Sequence, residues 1–208
     1  MLCRPALAAR LAGAALAGLA LLPAAAQAQA LSTSQVAEIK ACRTQAQAQV
    51  NAESLRMARL RQSEGGELEV PVSIRALGWR LLRANGNPTG LNEQTLRWWG
   101  YHASQVNAFA AGADTLLVSS ALWQSAFSPD EQAAVLAHEL SHLAQGHNTL
   151  WGCWSRVVQS PQLHAQLRQE MEEQAEEQAK GWLAAAGFDP GALPRVRARV
   201  GPLAGGAP

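Results

Sequence analysis

Apolar and polar positions change period along the chain, and the changes divide it into elements. Between Ser32 and about Gln62 there is no Gly or Pro; Ala, Gln, Arg and Glu dominate, and a modest apolar stripe recurs at helical spacing. This predicts a long helix, ended by Gly65-Gly66. Val70 to Ala84 predicts a second helix, opened by Pro71, with Ile74, Leu77, Leu81 and Leu82 on one side. Asn85 to Gly90 reads as a loop. Thr95 to His102 alternates loosely and is aromatic, and Thr115 to Ser119 is a short apolar run after Gly112, so both predict strands. Val106-Asn107-Ala108-Phe109 lies between them.

Two helix starts follow. In Ser128-Pro129-Asp130-Glu131, Ser128 suits a cap, Pro129 the first turn and Glu131 the return arm of a capping box, which predicts a helix to about Gln145. Ser160-Pro161 opens a last long helix through Ala186, and Gly187 with Asp189-Pro190 stops it. The segment 148–160 reads as a linker, and Gly201 to Pro208 is expected to fray. Helices outweigh strands, so the expected class is α+β, mainly helical, with a small sheet beside the helix that starts at Pro129.

The 208 residues carry a formal net charge of +1 with Lys/Arg and Asp/Glu intermixed, which excludes an extended basic surface and argues against a nucleic-acid partner. Arg4 and Arg10, an apolar run from Leu11 to Leu22, and the small residues to Ala30 have the order of a secretory signal peptide. Residues 1–30 are therefore expected to be an export signal and 31–208 a single domain; an uncleaved membrane anchor is the alternative. Cys42 and Cys153 would remain after cleavage, and the sequence leaves open whether they pair. Seven Trp residues, among them Trp98-Trp99 and Trp151/Trp154, read as core anchors.

The chemistry concentrates in His138-Glu139-Leu140-Ser141-His142. Residues four apart share one helix face, so both imidazoles can aim at one ion, while Glu139, rotated away, can reach a water and act as general base. A catalytic zinc takes three protein ligands. His147 does not complete the metzincin spacing, because Gln145 and Asn148 occupy the required Gly and His positions. The last helix offers Glu170, Glu172, Glu173, Glu176 and Glu177, of which Glu172 and Glu176 share a face. Either can donate the third ligand while the other orients a partner.

Over roughly 106–190 the chain resembles the HtpX-like and CAAX-prenyl-protease-like zinc metallopeptidases of peptidase family M48. The resemblance is carried by Val106-Asn107-Ala108-Phe109, Leu117-Val118, Ala121-Leu122, Ser128 to Glu131, Ala133 to His142, His147 and Ala186-Gly187-Phe188-Asp189-Pro190. It implies a zincin-like (gluzincin) fold, one Zn2+ per chain and peptide-bond hydrolysis. The family's third ligand is the Glu of a Glu-x-x-Ala-Asp motif; counting back from Gly187 puts it at Glu172, with Glu176 where the family has Asp and Ala179 where it has Gly. The register starting at Glu176 ranks second. Family members often continue with a His-Pro segment and an Arg; here Arg195, Arg197 and Arg199 follow, and no His comes after His164. Tyr101, His102, His147 and His164 are candidates by residue type for the role of that His.

The resulting expectation is a zinc metalloendopeptidase of the periplasm or another exported compartment. His138, His142 and Glu172 hold the metal, Glu139 is the base, Glu176 and His147 support the ligands, and Asn107, Ala108 and Phe109 form an edge strand for substrate. Its partners would be extended or unfolded polypeptides, in the course of protein quality control, with peripheral association with membrane proteins. The rival expectation is a zinc-fold binding or chaperone module with weak catalysis.

Overall fold

The structure, a computed structural model, describes residues 31–45 and 67–201. The expected signal at 1–30, the remainder of the first long helix with its Gly65-Gly66 stop, and the tail beyond Gly201 lie outside those residues. Helix α1 is described over residues 33–45. There follow β1 (Glu67–Leu68), α2 (Val72–Ala84), a 3-10 turn (Pro88–Gly90), β2 (Arg97–Tyr101), β3 (Ala108–Ala111) and β4 (Thr115–Ser119). The chain continues through α3 (Ala121–Gln124), α4 (Pro129–Gln145), α5 (His147–Val157), α6 (Pro161–Ala185) and α7 (Ala192–Val200). The class is α+β.

The four strands lie in the order β1-β2-β4-β3, with β2 and β4 parallel and the other pairs antiparallel. Every residue of β4 is buried, as a central strand requires. β3 is an edge, paired to β4 through Ala108↔Val118 and Ala110↔Leu116. Trp98 on β2 lies against α2 because position 78 is glycine; a Cβ there would stand 2.6 Å from the indole Cη2.

α4 is the centre of the molecule. Ala133, Ala134, Val135, Leu136, Ala137 and Leu140 are fully buried, so the helix is enclosed on all sides by α2, α6, α7 and β3. Small side chains make this possible: Ala175 and Ala179 of α6, both fully buried, let that helix approach α4 closely. The capping box forms as the sequence predicts. Ser128 Oγ accepts from Glu131 N–H, and Glu131 Oε2 accepts from Ser128 N–H at 2.8 Å.

Three expectations are corrected. The segment 148–160 is largely helix, because Gly146, at φ 68°, takes the left-handed conformation that ends α4 and starts α5 one residue later. The Trp residues are mostly half-buried, only Trp182 being in the core, since their size lets them bridge elements at the rim. The edge strand begins at Ala108 rather than Asn107, although Asn107 N–H still donates to Ser119 Oγ at 2.8 Å.

A second apolar cluster lies apart from the main core, where Ile39 of α1 packs with Cys153 and Val158. Cys42 and Cys153 form a disulfide there, closing a sequence separation of 111 residues.

Candidate metal centre

α4 and α6 bring three donors together. His138 Nε2 and His142 Nε2 are 3.3 Å apart; Glu172 Oε2 lies 3.2 Å from the first, and Glu172 Oε1 lies 3.5 Å from the second. Tetrahedral donors at about 2.0–2.1 Å from a zinc ion stand about 3.3–3.4 Å from one another. The pairwise contacts are of that order, the two to Glu172 being made by its two different oxygens; with one atom from each residue the donors lie within 4.8 Å of one another, and two imidazoles with one carboxylate are a set suited to zinc. His138 and His142 are buried and Glu172 is about one third exposed.

The surroundings hold His142, whereas Nδ1 of His138 has no hydrogen-bond partner among the described residues. His147, the first residue of α5, places Nδ1 2.9 Å from His142 Nδ1, and its Nε2 lies 3.3 Å from Gln174 Oε1. His142 thus has its far nitrogen held and its near one aimed at the donor cluster. Burial, followed by the neighbouring His138 and His147, lowers the His142 pKa to about 2; burial also lowers that of His147 to about 4. Both rings are neutral at neutral pH, the form in which imidazole has a lone pair for a metal.

Glu139 is fully buried. Its Oε2 accepts the Ala110 N–H of β3 at 2.8 Å, while Oε1 has no hydrogen-bond partner among the described residues. Burial pushes its carboxyl well above the ordinary carboxylate range, and the charge of Glu172 raises it further, against the lowering effect of the Ala110 bond. One oxygen is anchored and the other is uncommitted. Ala110 sends its N–H away from β4, which links the edge strand to the carboxylate. Ala108 and Phe109 precede it on the same strand, and Asn107 lies just before that strand.

The acidic cluster of α6 divides. Glu172 faces the histidines, whereas Glu176 pairs with Lys180 at 2.9 Å and with Arg197 of α7. The Lys180 hydrogen bond leads in holding the Glu176 pKa below its usual range. Glu173 is exposed and accepts from Gln169, and Glu170 and Glu177 are also exposed. The register that puts Glu176 in the metal cluster is not the one seen. A groove of about 630 Å³ runs from Glu172 past Gln169, Arg168, Ala165 and His164 to Pro161.

Sequence reasoning missed Arg197. Its Nη2 is 3.9 Å from Glu172 Oε2 and its Nη1 engages Glu176. The pattern of three alternating arginines was visible, but the acidic partners of Arg197 and Arg199 are 21 and 68 residues away, so only the fold reveals those two pairings. Of the residues considered for the role of the family's downstream His, His147 is beside the donors. His164 instead lies 2.9 Å from Val158 O through Nε2.

A model of peptidase family M48 matches residues 93–198, just over half of the chain. Protease HtpX of Escherichia coli (strain K12 / DH10B) is 52% identical over 50 residues, 22% of this chain and 17% of that protein. Protease HtpX of Salmonella newport and of Shigella boydii serotype 18 match to the same extent. The chain thus aligns with about a sixth of the length of these relatives.

Proposed function

Because this chain belongs to peptidase family M48 and carries the cluster described above, we propose that it is a zinc-dependent endopeptidase acting on extended or unfolded polypeptide. The observation that carries the reading is the meeting of His138, His142 and Glu172 at ligand spacing beside the half-committed carboxylate of Glu139. Zinc held by His138, His142 and Glu172 would supply Lewis acidity at this site.

The rest belongs to the chain itself. Oε1 of Glu139 takes a proton from the attacking water and returns it to the leaving amine, while Oε2 stays tied to Ala110 and keeps the carboxylate in place. The burial that raises the affinity of Glu139 for a proton suits it to carry one between two steps. His147 keeps the His142 ring oriented. The β3 edge offers backbone pairing to an extended segment, which gives affinity with little sequence preference. This mode of recognition suits turnover of unfolded or misassembled proteins, including those at a membrane surface.

The Cys42–Cys153 disulfide supports an exported, oxidising location such as a periplasm. Among the described residues no helix is long and apolar enough to cross a membrane. The test is digestion of unfolded casein by the full chain, with and without a chelator. The expected result is zinc-restored, chelator-sensitive cleavage that falls about 10²–10⁴-fold in Glu139→Gln. Stoichiometric zinc binding without cleavage would reject the peptidase reading in favour of a binding module.

A further inference from the structure

Each of the three arginines of α7 reaches an acid on another element or turn. Arg195 pairs with Asp189 at 2.7 Å, Arg199 pairs with Glu131 of the α4 capping box at 2.8 Å, and Arg197 points to α6. Leu193 and Val196, fully buried against the main core, fix the helix from which they project. The Arg197 side chain is about 30% exposed, and its Nε is buried without a hydrogen-bond partner. Only its two terminal nitrogens engage the α6 acids. One meets Glu176, and the other lies 3.9 Å from the same Glu172 oxygen that faces His138.

Glu172 needs such a restraint. It is a long side chain, one third exposed, whose two oxygens must point to two different imidazoles at once. Left alone it loses several rotamers when it takes that pose. The planar guanidinium can face two carboxylates with separate nitrogens, whereas an ammonium is a single point charge. Glu176, one turn beyond Glu172 and itself held by Lys180, fixes the guanidinium.

Resting on the zinc reading above, we propose that Arg197 is a positioning residue for the metal ligand Glu172, anchored by Glu176. The residue in the motif's Asp position then acts at one remove: Glu176 orients Arg197, and Arg197 orients the ligand. This role falls to α7, outside both ligand-bearing helices.

The test measures Zn2+ affinity of the full, metal-free chain by competition with a chromophoric chelator, alongside its thermal midpoint without metal. Arg197→Gln is expected to bind Zn2+ about 10–100-fold more weakly, the range seen when a ligand's supporting partner is removed. Arg197→Lys should fall between the two, and Glu176→Gln should resemble Arg197→Gln. The double variant should bind no more weakly than either single one, because both changes break one chain of contacts. If Arg197→Gln does not fold, the Lys and Glu176→Gln variants carry the test. Wild-type affinity in those variants, with only the metal-free midpoint lowered, would make the contacts merely structural and overturn the proposal. Tighter binding, or additive losses in the double variant, would also overturn it. A wild-type chain that takes up no Zn2+ removes the zinc reading and this inference together; wild-type uptake with unaffected variants removes this inference alone.

Discussion

Glu139 has one oxygen committed to Ala110 and one uncommitted, and His142 has one nitrogen against His147 and one toward the donor cluster. At the residue scale these two groups are each held at one end so that the other is left for chemistry. Such holding is testable apart from catalysis. His147→Phe is expected to keep the fold, since the ring is buried and an aromatic of similar width replaces it, yet to weaken Zn2+ binding about tenfold. Chelator competition measures this; unchanged affinity would show that His142 orients itself. The run from His138 to His142 was legible in the sequence because helical spacing alone puts both imidazoles on one face. The part played by Arg197 was not, because it depends on where α7 docks.

At the element scale, α4 supports the site through its first turn. Glu131 closes the capping box on Ser128 and also receives Arg199 from α7. The Ser128 N–H bond leads in holding its carboxyl below the usual range, and Arg199 adds to this. A carboxylate whose folded pKa is depressed contributes stability above its unfolded pKa and loses it as pH falls through the folded value. Glu131→Ala should therefore cost about 1–2 kcal/mol at pH 7. Denaturant melts should show the gap to wild type narrowing as pH drops below about 4.5, the ordinary value. A gap constant to pH 3 would assign the loss to packing instead. The same element shows why parts of the fold were readable. Ser128, Pro129 and Glu131 act on their own backbone, so local sequence sets the start of α4. α5 was hidden because its residues, from His147 to Val157, include Gly, Asn, Thr and Trp, weak helix formers that tertiary packing overrides. α7 was hidden behind the Gly and Pro residues that flank and interrupt it.

At the scale of the whole molecule there are two apolar clusters, and the smaller one contains a covalent link. The main core surrounds α4, and the smaller cluster beneath α1 is held by the disulfide between Cys42 and Cys153. Whether those cysteines pair could not be read from spacing, because pairing is a statement about distance between α1 and α5. A bridge closing a loop of roughly 100 residues stabilises by up to about 4.7 kcal/mol through the unfolded state. Cys42→Ser and reduction of wild type should lower the unfolding midpoint to a similar degree, with Zn2+ uptake retained because the donors lie on α4 and α6. A reductant-insensitive wild type would contradict that role.

The central claim is that two histidines of α4 and one glutamate of α6 hold the metal. Its most direct test is the zinc content of the full chain, Glu172→Gln and Glu176→Gln after saturation and removal of loosely held ion. One equivalent is expected in the wild type, close to one in Glu176→Gln despite weaker affinity, and close to none in Glu172→Gln. Full retention in Glu172→Gln, or loss only in Glu176→Gln, would contradict it.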